Sequence, residues 1–369
     1  MVIDVHCHVG FSARRAVATV PRFSFEEQGA TGRPGYDSYF SPRLLGRRQW
    51  WFMRKWLGID TGLEAGDALD DVIAAVNEHH WSKMSGVDRL VLLAFDEYHD
   101  DSGRVIGPAE RGAKFGSDLY ASNTLVRSMC AARPDRYLLG GSIHPYRVHG
   151  DRDAVTLLEE LAGAGCVLIK WLPIHQNIRI NDSRSVAFLR AAARLGIPLL
   201  IHYGGEMSLG RQHMEFESPL PLLDVLRTLR AEGAMPTVIV AHVATPSFAW
   251  QRRTGFDALV EAMVGEFGDD GLYADVSALA APCRTVWLRR LAAMPHVHRK
   301  LVWGTDFPIP VLIHPFRGML DRRTRRELRS IESWVERDLR LKRALGFDEG
   351  VFTRAADILG VASVPEGVA

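Results

Sequence analysis

Eight short runs of β-branched and apolar residues recur along the chain, each ending in polar or glycine-bearing residues and separated by helix-like stretches. They are Val2–Val5, Arg89–Phe95, Tyr137–Ile143, Cys166–Trp171, Pro198–Tyr203, Thr237–Val243, Gly271–Val276 and Lys300–Thr305. Between them, Ser183–Leu195 carries an alanine- and leucine-rich face and stops at Gly196. Pro221–Ala231 has apolar residues at helical spacing and stops before Gly233 and Pro236. Strands alternating with helices predict parallel βαβ units, hence an α/β protein. Eight such units use about the number of residues a (β/α)8 TIM barrel needs, roughly 250 plus insertions. An open doubly wound sheet is the rival that strand counting leaves standing.

Two segments of the 369-residue chain exceed what a barrel needs. Residues 11–66 form an insertion after the first strand and include the aromatic, basic cluster Arg47–Trp56. Leaving the C-terminal end of a barrel strand, this insertion is expected to act as a lid or an oligomer contact, a homodimer being one outcome. After Pro310 a C-terminal helical extension follows, whose alternating charges through Lys342 predict a solvated face. No repeat, low-complexity tract or linker interrupts the chain, so residues 1–369 are read as one domain.

The balance of 45 basic and 44 acidic side chains argues against a nucleic-acid or membrane-surface partner and favours a small-molecule substrate. No apolar run is long enough to span a bilayer. Cys7, Cys130, Cys166 and Cys283 show no paired spacing, and the opening residues lack the pattern of a secretory leader. Reduced thiols in a cytoplasmic protein are the expectation.

Chemistry-bearing residues cluster at the ends of the runs. In Asp4-Val5-His6-Cys7-His8, strand alternation sends His6 and His8 to one face and Cys7 to the other. His202, His242 and Asp306 close the fifth, sixth and eighth runs. Active sites of barrel enzymes are assembled from such strand ends. Neutral imidazoles and a carboxylate converging there can share one cation. His296-Val297-His298 repeats the spacing of His6 and His8 but precedes the eighth strand, on the wrong end of a barrel, and is read as structural. Lys170, in the apolar run Val167–Pro173, must find a partner or shed its charge. It neutralises a substrate carboxylate, is carbamylated and bridges a second metal, or pairs with an acid. Glu206, four residues past His202, is a further candidate for substrate or a second metal. Arg211 and His213 are read as surface residues, and His144 as structural or supporting.

Together, Ile3-Asp4-Val5-His6-Cys7-His8, Leu200-Ile201-His202, Ala241-His242 and Gly304-Thr305-Asp306-Phe307-Pro308 resemble the amidohydrolase superfamily. The resemblance is to its amidohydrolase-related branch (amidohydrolase family 2), which includes aminocarboxymuconate-semialdehyde decarboxylase-like enzymes. It implies that His6, His8, His202 and Asp306 bind one divalent ion, usually zinc, and that His242 works beside it as acid, base or electrophile. A second ion is implied only if Lys170 is carbamylated. Many members carry Lys-x-His-Pro where this chain has Lys170-Trp171-Leu172-Pro173, so no ligand carries over to Leu172. The branch's usual asparagine near its closing helix is absent from Thr353–Asp357 within Phe347–Gly360.

A zinc ion with an exchangeable water would lower that water's pKa from about 16 toward 7. With Asp306 taking its proton and His242 polarising the substrate, the first expectation is a metal-dependent hydrolase of C–N or C–O bonds in a small, carboxylate-bearing or cyclic substrate. The alternative is nonhydrolytic decarboxylation of an aromatic or unsaturated acid, for which Trp171, Tyr203 and Phe307 would supply ring contacts. An inactive barrel serving as a binding protein is the third expectation.

Overall fold

All eight runs form strands, each parallel to the next. β1 (Ile3–His8), β2 (Arg89–Leu93), β3 (Tyr137–Gly141), β4 (Leu168–Trp171), β5 (Leu199–His202), β6 (Val238–Ala241), β7 (Leu272–Asp275) and β8 (Leu301–Val302) pair in chain order. The computed structural model describes residues 1–17, 19–26 and 35–361. The last strand returns to the first. Val5 N–H donates to Trp303 O at 3.4 Å, Asp306 N–H to His6 O at 2.7 Å, and His8 N–H to Phe307 O at 3.0 Å. The sheet thus closes as a barrel, and the open doubly wound rival is excluded. Buried Asp4 bolts this seam: Oδ1 accepts the N–H groups of His6 and Thr305, both at 3.0 Å, and Oδ2 accepts the Thr305 hydroxyl at 2.5 Å.

Strand alternation decides which residues reach the barrel interior. Val91 and Leu93 on β2, Leu168 on β4, Leu200 on β5, Ile239 on β6 and Val302 on β8 share one interior cluster with Ile3 and Val5. Their neighbours Leu92, Ile169, Leu199, Val238 and Leu301 belong to the outer core against the helices. In β1 the pairing with β2 shifts register between Asp4 and Cys7. That irregularity lets His6 and His8 face the site although Val5 already faces inward, while Cys7 joins the outer core.

Helices cover the sheet. Residues leaving β1 form α1 (Arg48–Leu57) and α2 (Asp67–Ser82). The helices α3 (Asn123–Ala132), α4 (Ala154–Gly163), α5 (Ser183–Leu195), α6 (Leu220–Ala231), α7 (Thr254–Val264) and α8 (Thr285–Ala292) follow β2 to β7 in turn. The Asp182 side chain caps α5, which ends at Gly196 with φ of 67°. Of the expected insertion 11–66, residues 18 and 27–34 lie outside the described residues, as do 362–369 of the tail. The helix α1 of that insertion lies over the strand ends, with Trp50, Met53 and Leu57 turned to the cavity there. Trp51, Phe52 and Trp56 on its other side are exposed.

The extension contains α9 (Arg322–Ser330) and α10 (Trp334–Ala344). A solvated face describes α9, but α10 corrects the expectation: Asp338 and Lys342 are fully buried and ion-paired to each other. Asp338 also accepts from Trp303 Nε1 at 2.9 Å, and Lys342 Nζ donates to Gly304 O at 3.1 Å. Charge alternation in the sequence does not reveal that this i, i+4 pair docks onto the end of β8. Past it, Ala355 and Leu359 join the barrel's interior cluster. All four cysteines are free. Among the described residues no helix is long and apolar enough to cross a membrane.

Candidate metal centre

The strand ends bring the predicted residues to one place. Nε2 of His6 and Nε2 of His8 lie 3.3 and 3.2 Å from the same oxygen, Asp306 Oδ1. The other oxygen, Oδ2, stands 3.7 Å from His242 Nε2. His202 packs edge-on against His242 with ring centroids 4.9 Å apart. Lys170 Nζ is 3.0 Å from His6 Nε2, and Glu206 Oε2 is 3.6 Å from His202 Nε2. These seven residues line one cavity.

His6, His202 and His242 arrive neutral. Burial holds His6 well below its ordinary pKa, reinforced by the Lys170 cation. Burial does the same for His202, with His242 beside it, and for His242, with Arg284 beside it. For Asp306, burial raises the pKa, but the neighbouring His6 and His8 outweigh it and keep the carboxyl low. Burial lowers Lys170 to about 8, partly offset by Asp306, Asp275 and Glu206. Among the described residues no carboxylate lies within ion-pair distance of Lys170.

The orientation of His6 is set from behind. Asp275 Oδ2 accepts from its Nδ1 at 2.8 Å, so the Nε2 lone pair faces the cavity, where Lys170 already offers a cation to it. Asp275 Oδ1 accepts the His242 N–H at 2.8 Å and the Ser277 N–H and hydroxyl at 3.0 and 2.5 Å. Its hydrogen-bonding capacity is thereby used, which makes it an orienting group although it lies close enough to His6 and His242 to share an ion. His202 Nε2 is buried without a hydrogen-bond partner. An unpartnered buried nitrogen, two imidazole nitrogens converging on one carboxylate oxygen, and a carboxylate-backed imidazole fit a divalent cation.

Two of the groups sit on left-handed backbone. His242, Val243 and Ala244 have φ of 54°, 52° and 48°, and Asp306 has φ of 60°. Such conformations cost about 1–3 kcal/mol per residue and persist where the surroundings demand them. The turn begins immediately after β6, so His242 reaches the cavity although Ala241, its neighbour, already faces inward. At Gly304 an added Cβ would come within 2.9 Å of His6 Cβ, so the seam requires glycine beside the first ligand candidate.

Other readings are settled by position. Trp171, Tyr203 and Phe307 are buried in the outer core and do not line the cavity, which corrects their expected ring contacts. Each follows an inward-facing residue (Lys170, His202, Asp306) and so points outward. The cavity's aromatic wall is Phe40, Trp50 and Phe95. His298 donates from Nε2 to Leu291 O at 3.0 Å and is structural. His144 stacks on His99 at 4.2 Å and bonds Gln176 O, also structurally. Arg211 is exposed, while His213 stacks on Phe115 and Phe216 outside the cavity. Sequence reasoning missed Asp275, Ser277 and Arg284. An acid inside Leu272-Tyr273-Ala274-Asp275-Val276 carried the same signal as Lys170 in its own strand.

The family described as "Amidohydrolase" matches residues 3–333. No curated protein matches the chain. Among solved structures, an uncharacterised TIM-barrel protein from Bordetella bronchiseptica is 16% identical with a TM-score of 0.51, covering 94% of this chain and 99% of its own. The 5-carboxyvanillate decarboxylase from Novosphingobium aromaticivorans, complexed with manganese and 4-hydroxy-3-methoxy-5-nitrobenzoic acid, is 12% identical with a TM-score of 0.50. It covers 98% of this chain and 96% of its own. At these identities the likeness carries the fold.

Proposed function

This chain belongs to the amidohydrolase family and is a metal-dependent enzyme; from that premise we propose that it decarboxylates a carboxylic acid carried on an aromatic or otherwise unsaturated carbon. One observation carries the choice: the cavity facing the ligand candidates is walled mostly by apolar and aromatic side chains, with Lys170 as its buried cation. Loss of CO2 spreads a localised carboxylate charge over a delocalised carbon framework, which a dry, apolar site favours. Hydrolysis instead requires water to be admitted and polar contacts to hold an amide or ester. Manganese and a carboxylated aromatic analogue in the decarboxylase named above are in keeping with this reading.

His6, His8, His202 and Asp306 are the proposed ligands of one divalent ion, zinc or manganese. When bound, the ion supplies Lewis-acid polarisation of a substrate oxygen. Lys170 Nζ orients the carboxylate so that its C–C bond stands out of the plane of the unsaturated system. That bond breaks, CO2 leaves, and the electron pair stays on carbon. A proton taken up from solvent and relayed by Asp306 and His242, whose Oδ2 and Nε2 lie 3.7 Å apart, is delivered to that carbon, so one proton is consumed per CO2 released. Glu206, which accepts the Leu209 N–H at 2.9 Å, holds the loop beside His202.

Hydrolysis of a C–N or C–O bond, the first expectation, becomes the second reading. The Asp306–His242 pair that favours it is equally able to accept a proton from water. The inactive binding barrel is set aside, because every expected ligand is present at the cavity. The deciding experiment supplies metal-loaded enzyme with hydroxybenzoates and, separately, with lactones and amides. CO2 release that is lost on chelation supports the proposal; ring opening or amide cleavage without CO2 replaces it with the second reading.

A further inference from the structure

The cavity extends beyond the ligand candidates, between two helices of the segment that leaves β1. From α1 come Trp50, Met53 and Leu57, at i, i+3 and i+7 on one helix face. From α2 come Ile73, Val76 and Asn77, at i, i+3 and i+4. Asn77 donates its amide to Val9 O at 2.9 Å, so its N–H serves the backbone. No charged side chain lines the cavity from either helix. At the other end stand His6, His8, Lys170, His202, His242 and Asp306. The space between the walls, counted with the open solvent at its mouth, is about 1000 Å³.

We propose that the substrate is an amphiphile: a carboxylated ring or unsaturated acid bearing an alkyl chain or second apolar ring, which lodges between α1 and α2. The assignment of its head group rests on the decarboxylase reading; the apolar subsite rests on the helix faces alone. One residue spacing in each helix serves the subsite, and the polar end and apolar end of the cavity match the two ends of such a molecule. A chain in this subsite is removed from water, so binding strengthens with each methylene added.

The test uses salicylates carrying methyl, pentyl or nonyl chains para to the carboxylate, titrated calorimetrically into the manganese-loaded protein. Affinity is expected to rise, by up to about fourfold for each fully buried methylene. Met53→Asp is expected to flatten that rise, and Leu57→Gln to weaken it should the first variant fail to fold. A wild-type series with equal affinities overturns the apolar subsite. A rising series from which no member releases CO2 leaves the subsite standing and overturns the decarboxylase reading instead.

Discussion

Asp275 Oδ2 lies 2.8 Å from His6 Nδ1, and through its other oxygen the same carboxylate accepts the backbone N–H of His242. One residue of β7 therefore orients a ligand candidate on β1 and anchors the start of the left-handed turn that presents His242 to the cavity. Replacing it tests the orientation directly. Asp275→Asn retains an acceptor for the His242 N–H but offers an amide where His6 Nδ1 needs an acceptor. Metal affinity is expected to fall about 10- to 100-fold, read by competition with a chelating dye. Unchanged affinity would remove Asp275 from its orienting role.

Asp306→Asn keeps the size of the side chain and removes its capacity to carry a proton. Turnover is expected to drop at least about a hundredfold while circular dichroism remains that of the wild type. A variant retaining near-normal turnover would take Asp306 out of the mechanism.

His296→Ala serves as the internal control for the choice of histidine pair. His296 is exposed on the short helix Pro295–His298, before β8. Metal content measured by elemental analysis is expected to equal that of the wild type. Loss of metal would overturn the assignment to His6 and His8.

Lys342→Met leaves Asp338 buried and uncompensated. The expected loss is about 3–5 kcal/mol of unfolding free energy, measured by urea denaturation, whereas the paired replacement Asp338→Leu with Lys342→Met should recover most of it. Equal stability of the single variant and the wild type would contradict an ion pair of structural importance.

His99 gives the protein an acid-sensitive element away from the metal centre. Burial lowers it to about 4, Arg147 adding to the effect, while Asp96, the Glu97 carbonyl and Asp100 oppose it. The folded state therefore binds this proton less readily than the unfolded chain, whose histidine titrates near 6.5. Its contribution is full above about pH 6.5 and is lost progressively as the pH falls to about 4, amounting to roughly 3 kcal/mol. His99→Asn keeps a donor for the Glu97 carbonyl and is expected to lessen the slope of stability against pH in that window. An identical slope would show that His99 is not the group responsible.

The barrel was legible because each strand is a contiguous run, so periodicity alone locates it. Six of the seven site candidates were legible because they stand at the ends of apolar runs, and Glu206 because it lies four residues past His202. Asp275 interrupts its run in the same way, yet its role as an orienting group depends on a contact 269 residues away in the chain. The outward positions of Trp171, Tyr203 and Phe307 follow from alternation once Lys170, His202 and Asp306 are known to face inward. The inward pairs Val5 with His6 and Ala241 with His242 were not legible, because a register shift and a left-handed turn each override alternation. In α10 the buried Asp338–Lys342 pair has the spacing of an ordinary surface pair, and only docking onto β8 distinguishes it.

Asp4 and Thr305, bonded across the seam, are 301 positions apart. His6 and His8 stand on one side of that join and Asp306 on the other. During synthesis His6, His8 and His202 emerge before Asp306, so the four proposed ligands can meet only after the final strand has left the ribosome. A cation seated there would rivet the ring shut, making metal supply a check on whether the finished protein persists.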